Sequence, residues 1–276
     1  MTEEKNYKDW LVVSDIDGTL NDKRRNLPER NLKAITEFVK KGGNFTLASS
    51  RNPESLYRHY RKLPITTPAI VSNGTGIYDF ENKKYLYYQG HSEKAKDDII
   101  MLKRKHPTCD AVVFTKDDLY IAGAGWWSLW YVTIDRLSHK FIHDMRKIPR
   151  DDWGKIIING PWWRISKVRR EFENFPDREF SVVKTSFVSF EVIPKGINKG
   201  SSVKELAKIL GVEQDHTAAI GDYYNDVNML KSVEYPACAG QAPDRVRAIS
   251  KYIACHCNEG AVGDFLEYLI NEIIEK

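Results

Sequence analysis

Asp15 and Asp17 stand two residues apart at the end of an apolar run, Leu11-Val12-Val13-Ser14, and are followed at once by Gly18 and Thr19. A run of this kind reads as a buried strand. Residues i and i+2 of a strand point to one side. Both acids therefore start on one side of the strand's C-terminal end, where open α/β sheets bind ligands. Two carboxylates there are costly unless a cation or a reaction uses them. Gly18 lets the chain turn and bring backbone N–H groups close to a ligand. Read alone, Asp17-Gly18 is also a common solvated turn.

Three further segments carry complementary groups. Ser49-Ser50-Arg51 follows a second apolar run. Lys199 stands in Ile197-Asn198-Lys199-Gly200 at the start of a helix, where the helix dipole does not favour a cation. Gly221-Asp222-Tyr223-Tyr224-Asn225-Asp226 follows a third run. Carboxylates from two strand ends, Asp15 and Asp222, are hard oxygen ligands of the kind Mg²⁺ takes. A bound Mg²⁺ there would neutralise these acids and an anionic ligand together. Asp226, four residues after Asp222, shares its side if the intervening helix starts early. It then acts through water or behind the ligands. Its alternative is an early-turn acid that stabilises its own helix.

These segments need a frame, and the chain supplies one. Residues 28–40 read as an amphipathic helix opened by Pro28 and closed by Gly42-Gly43. Residues 44–49 and 69–72 read as strands, with a helix over 53–62 between them. Strand and helix in alternation imply a parallel sheet with helices on both faces. Residues 76–90 read as a hairpin. From about 92 to 192 strands and helices mix without alternation, which reads as an inserted α+β domain. Alternation resumes with a helix over 200–210, a strand over 217–220, a short helix over 225–230, strands near 236–238 and 252–257, and a C-terminal helix over 261–274. The expected fold is α/β, a Rossmann-like doubly wound parallel-sheet core with an inserted α+β cap. Its parts are 1–84 (core), 85–192 (cap) and 193–276 (core).

Composition narrows the classes. The chain has 276 residues, 42% hydrophobic and 29% charged, with 42 basic and 38 acidic side chains for a net charge of +4. That suits a globular protein with a sizeable core and anionic small-molecule ligands. It is not the concentrated basic stripe of a nucleic-acid binder. No apolar run is long enough for a membrane span, and Met1 to Asn6 is polar, unlike a secretion signal. Four scattered cysteines do not make a disulfide framework. A cytoplasmic monomer or homodimer is the expectation. Cys255-His256-Cys257 has no matching second Cys/His pair and fits a short strand better than a zinc site.

In order and type, the four segments resemble the motifs of the haloacid dehalogenase superfamily of phosphohydrolases. The insert and the Gly221-Asp222-x-x-Asn225-Asp226 form are similar to its Cof-type branch with a type 2 cap. The resemblance covers nearly the whole chain and implies an Mg²⁺-dependent phosphatase of small phosphorylated metabolites, sugar phosphates foremost. It implies that Asp15 is the nucleophile and forms an aspartyl-phosphate. Asp17 then protonates the leaving alkoxide and activates water, and its backbone carbonyl joins Asp15 and Asp222 on the metal. Ser49 bonds a phosphoryl oxygen, Lys199 offsets charge, and Thr19 orients Asp17. Asn225, and Asn73 in Ser72-Asn73-Gly74, face the substrate, although Asn73-Gly74 alone is a turn. Backbone N–H groups near Gly18 and Ser50 complete the phosphate cradle. Arg51 binds substrate or holds the sheet edge.

Two departures stand out. Relatives carry Thr-Gly-Arg where this chain has Ser49-Ser50-Arg51, which keeps the hydroxyl but loses a glycine. Tyr223-Tyr224 are bulky and either wall the leaving-group pocket or pack beneath it. The insert holds Trp126, Trp127, Trp130, Tyr131, Trp153, Trp162 and Trp163. Tryptophans in such a domain usually pack in its core; the alternative is an aromatic face that stacks on a sugar. His139, Lys140 and His143 are candidate anion contacts or a solvated helix face.

Other readings are a phosphomutase and a catalytically silent binding protein. The mutase wants several cap arginines, and Arg164, Arg169 and Arg170 look like an exposed helix side. The silent reading sits poorly with a complete acid set. A P-type pump lacks its membrane spans here, and a glycosidase needs acids that flank a sugar bond.

Overall fold

The computed structural model describes residues 6–134 and 137–276. The first five residues, residues 135 and 136, and the side chains of Trp130, Tyr131 and Ile134 lie outside that description. In chain order the elements are β1 (Leu11–Ser14), α1 (Glu29–Lys40), β2 (Asn44–Leu47), α2 (Pro53–Tyr60), β3 (Ala69–Val71), β4 (Gly76–Asp79), β5 (Lys84–Tyr88), α3 (Glu93–Arg104), β6 (Asp110–Phe114), β7 (Leu119–Ala122), α4 (Trp126–Ile134), β8 (Lys140–Ile142), β9 (Ile156–Asn159), α5 (Trp162–Glu173), β10 (Phe180–Lys184), β11 (Ser189–Pro194), α6 (Lys199–Leu210), β12 (Thr217–Gly221), α7 (Val227–Leu230), β13 (Tyr235–Cys238), α8 (Asp244–Arg247), β14 (Tyr252–Ile253) and α9 (Ala261–Leu269).

The chain forms two compact units, Met1–Leu86 with Asn198–Lys276, and Tyr87–Ile197. The first holds a parallel sheet in the order β14-β13-β12-β1-β2. A bridge between Ala48 and Ile70 continues it to β3, which opens the antiparallel β3-β4-β5 ribbon. Val12, Phe45, Leu47, Ala218 and Ile220 pack with Ala34, Ile35 and Phe38 of α1 and with Phe265, Leu266 and Leu269 of α9. Leu11 and Val13, of the opposite parity, are equally buried, as are Val203 and Leu206 of α6 and Met229 and Leu230 of α7. Helices thus cover both faces, and near-continuous apolar strands are what that requires. Asn31 is fully buried and ties the layer together, its amide donating to the Leu20 carbonyl and accepting from the Gly263 N–H.

The second unit is a six-stranded sheet, β10-β11-β9-β6-β7-β8, antiparallel except for β7 with β8. One face packs on α3 and α5 through Ile99, Ile165, Val168 and Phe172. On the other, Val112, Phe114, Ile121 and Ile157 meet Val132 of α4. Asp110, buried at the start of β6, caps α4 by accepting from the N–H groups of Gly125, Trp127 and Ser128.

Several local expectations shift. His139, Lys140 and His143 lie on and beside the edge strand β8 rather than on a helix, because short β7–β8 pairing overrides local propensity. Lys140 is paired with Asp118 at 2.7 Å. The helix over 225–230 is a 3₁₀ turn (Tyr224–Asp226) running into α7. The last helix ends as a π-helical turn, Ile270–Ile274. Strand β14 stops at Ile253, and His256 instead caps a 3₁₀ turn by accepting from the Asn258 N–H. Of the tryptophans, Trp153 is buried, but Trp126, Trp162 and Trp163 are well exposed and Trp127 half-buried. Core packing accounts for one of these five.

Candidate active site

Strand register builds the site. Ser14 of β1 is level with Leu47 of β2 and Ile220 of β12. The residues just beyond, Asp15, Ser49 and Asp222, are therefore delivered to one rim. Asp15 has the parity of Leu11 and Val13, which aims it to the α6 and α7 side. There it meets Lys199.

Lys199 opens α6, and a reciprocal cap fixes that opening. The Asn198 side chain accepts from the Ser201 N–H at 3.0 Å, and the Ser201 hydroxyl accepts from the Asn198 N–H at 3.0 Å. Gly74, at φ +96°, lets the 72–74 turn lie against this cap; a Cβ there would stand 2.2 Å from the Asn198 carbonyl oxygen. Ser202 donates to the Gly74 carbonyl at 2.5 Å.

The Lys199 ammonium is almost wholly buried and sits between two carboxylates, 2.5 Å from Asp15 Oδ1 and 2.7 Å from Asp226 Oδ1. Asp226 spends its other oxygen on the N–H groups of Asp222 and Tyr223, at 3.1 and 3.2 Å. Oxygens of Asp15, Asp222 and Asp226 all lie within 4.8 Å of one another. Burial first, and Asp226 second, push the Asp15 carboxyl upward against the pull of Lys199. The same two causes lift Asp222 to about 6. Burial works against the charge of Lys199, but Asp15 and Asp226 outweigh it and raise its pKa.

Three crowded carboxylates face one ammonium, a set short of positive charge. The donors are all hard oxygens, as a small divalent cation requires. Mg²⁺ fits the residues present.

Asp17 ends with a different partner. The strand stops at Ser14, so its two-residue period does not carry on from Asp15 to Asp17. Asp17 Oδ2 meets Arg51 Nη2 at 2.9 Å, and its side chain is about half exposed, against a tenth for Asp15. Thr19 does not orient Asp17: the turn at Gly18 (φ +85°) carries its hydroxyl to Asp222 Oδ1 at 3.4 Å. A Cβ on residue 18 would lie 2.4 Å from Asp222 Oδ2. Gly18→Ala therefore forces a left-handed alanine, about 1–2 kcal/mol, and displaces Asp222. Mg²⁺ affinity, read by calorimetry, is expected to fall roughly tenfold or more.

Ser49 is buried, and its hydroxyl accepts from the Arg51 N–H at 3.2 Å. Ser50 is half-buried beside it. Arg51 also reaches Ser55 Oγ at 3.3 Å, while its buried Nε has no acceptor among the described residues. Asn73 is buried at φ +58°, its N–H on the Ser49 carbonyl at 3.0 Å. Asn225 is exposed on the 3₁₀ turn. Tyr223 and Tyr224 are exposed with their rings edge to face, so they do not pack beneath the rim. Gln241 has no sequence signal. Its amide donates to the Gly18 carbonyl at 2.5 Å and accepts from the Cys257 N–H at 3.1 Å, clamping the first loop from beyond β13.

A family model described as haloacid dehalogenase-like hydrolase matches residues 12–266. An HMP-PP phosphatase of Serratia proteamaculans is 24% identical over 271 residues, 94% of each chain. A haloacid dehalogenase-like hydrolase from Bacteroides thetaiotaomicron superposes with a TM-score of 0.83 at 20% identity, over 94% of this chain and 99% of that one. A sugar phosphatase of subclass IIB of that superfamily gives 0.78 at 16% identity, over 94% and 98%. With the family model spanning most of its length, the chain belongs to the haloacid dehalogenase-like hydrolases.

Proposed function

We propose that the protein is a Mg²⁺-dependent phosphatase of small phosphorylated metabolites, sugar phosphates foremost, acting through an aspartyl-phosphate on Asp15. The observation that carries this reading is the buried Lys199 held between Asp15 and Asp226 with Asp222 alongside. Family membership and the phosphatase and sugar-phosphatase names of the relatives support it.

Asp15, Asp222 and Asp226, with the Asp17 backbone carbonyl, are the groups that would hold the cation directly or through water. When bound, Mg²⁺ supplies charge neutralisation for the phosphoryl oxygens and the attacking carboxylate. Asp15 attacks phosphorus as the ester oxygen leaves with a proton from Asp17. With Asp17 Oδ2 taken by Arg51, Oδ1 is the oxygen left to carry that proton. Asp17 then accepts a proton from the water that attacks the phosphorus of the aspartyl-phosphate, which restores Asp15 and releases phosphate. Lys199 holds Asp15 in line and offsets phosphoryl charge. Ser49, Ser50, Asn73 and Asn225 supply the groups that bind phosphoryl and substrate oxygens, with Thr19 behind them on Asp222 and Arg51 on Asp17.

Phosphate release from sugar phosphates, nucleotides and an aryl phosphate tests the reading. Release that requires Mg²⁺ and stops with EDTA is expected. A folded, Mg²⁺-saturated protein that releases nothing from any of them would overturn it. Metal removal has a stability readout too. Mg²⁺ at a hundredfold excess over its dissociation constant adds about 2.7 kcal/mol to a unit that binds it only when folded. The melting transition of the first unit is expected to rise by roughly 5 °C or more, and EDTA should reverse it.

A further inference from the structure

Four lysines are buried among the described residues: Lys96, Lys103, Lys155 and Lys199. Three are paired. Lys96 meets Glu93 at 2.7 Å and the Arg150 carbonyl, Lys155 meets Glu191, and Lys199 meets Asp15 and Asp226. The side chain of Lys103, a residue 9% exposed, has no hydrogen bond or ion pair among the described residues. Its stem is buried while its ammonium keeps solvent access, which leaves the charge free to take an anion from the cleft.

Its neighbours do not pair with it. Asp144 is engaged by Arg146, whose Nε lies 3.0 and 2.8 Å from its two oxygens and whose Nη2 lies 2.5 Å from one. Asp110 is committed to the N–H groups that open α4. The last-turn position on α3 favours a positive charge but provides no acceptor. Burial pulls the Lys103 pKa down, against the weaker influence of Asp110, Cys109 and Asp144.

Lys103 lines a cleft of about 290 Å³ within the second unit, together with Arg104, His143, Asp144, Met145 and Arg146. Arg104 is exposed and takes no ion pair among the described residues. Three cations and one carboxylate leave two positive charges facing the cleft, with the His143 ring at its wall. We propose that this cleft binds a small doubly charged phosphoryl oxyanion, inorganic phosphate or a compact phosphomonoester, with Lys103 as its central contact and Arg104 and His143 beside it. The volume admits a phosphoryl group and a few further atoms, and the charge matches a dianion. The site shares no residue with the catalytic set, and it stands whether or not that set hydrolyses phosphate esters.

The full chain has four methionines. Met145 lines the cleft, and Met229 is buried in α7, three residues after Asp226. With ¹³C-methyl methionine, phosphate titrated at constant ionic strength is expected to shift the Met145 resonance saturably in the millimolar range. Met229 reports separately on phosphate in the first unit. Lys103→Leu should weaken the Met145 response at least tenfold. Arg104→Gln, on the surface, should weaken it severalfold and serves if the first variant does not fold. No Met145 shift up to 50 mM phosphate overturns the proposal. So does a shift unchanged in the folded variants, or one that malonate reproduces equally.

Discussion

Asp15→Asn is expected to abolish phosphate release while the protein stays folded. The amide keeps the shape and removes the nucleophilic oxygen anion, so no aspartyl-phosphate forms. Loss of a group that works in a concerted unit costs roughly 10⁴-fold or more in turnover. The fold should tolerate the change. Asp15 is one of three crowded carboxylates, and burial already pushes its carboxyl upward. A neutral amide relieves that repulsion, and Lys199 keeps Asp226 as its partner at 2.7 Å. Release and melting temperature measured on the same preparation check the expectation. Turnover above about one part in a thousand, with preparation-to-preparation contamination excluded, would remove Asp15 from the nucleophile's role.

Lys199→Met should damage both activity and stability. The ammonium is buried between two acids at 2.5 and 2.7 Å, and Asp226 is fully buried. Removing one partner of a buried pair leaves an uncompensated charge, about 3–5 kcal/mol. Loss of a preorganised cation at the phosphoryl group costs roughly 10²–10³-fold in turnover. Saturating Mg²⁺ should restore part of the stability, because it supplies positive charge to the same acids, but not the turnover. Lys199→Arg is not expected to rescue, since a side chain 1% exposed has no room for the larger fork. Turnover is read well below the variant's melting temperature. Full turnover in a destabilised Lys199→Met would reduce Lys199 to a structural counter-ion.

Much of this was legible along the chain because it is local. The apolar run before Asp15, the glycine after Asp17, the Gly221-Asp222 pair and the strand–helix alternation state a parallel sheet with acids at its ends. The change of pattern after residue 90 marks an insert; the compact units divide after Leu86 and after Ile197. What failed locally was period and partner choice. Asp15 and Asp17 are two residues apart, yet a strand that ends at Ser14 sends one to Lys199 and the other to Arg51. Thr19 turns to Asp222, a residue 203 positions away. Trp162 and Trp163, apolar by type, are exposed because α5 buries Ile165, Val168 and Phe172 instead.

The sequence by itself determined the residue types, their order and the elements that carry them, because propensity, patterning and turn chemistry act over a few residues. Only the tertiary structure decided who meets whom. The level register of β1, β2 and β12 brings Asp15, Ser49 and Asp222 to one rim. The Asn198 cap aims Lys199 into that rim, Gln241 clamps the Gly18 loop, and Lys103 is left without a partner in its cleft. Such pairings depend on burial and on contacts between distant segments, and no short window of sequence contains either.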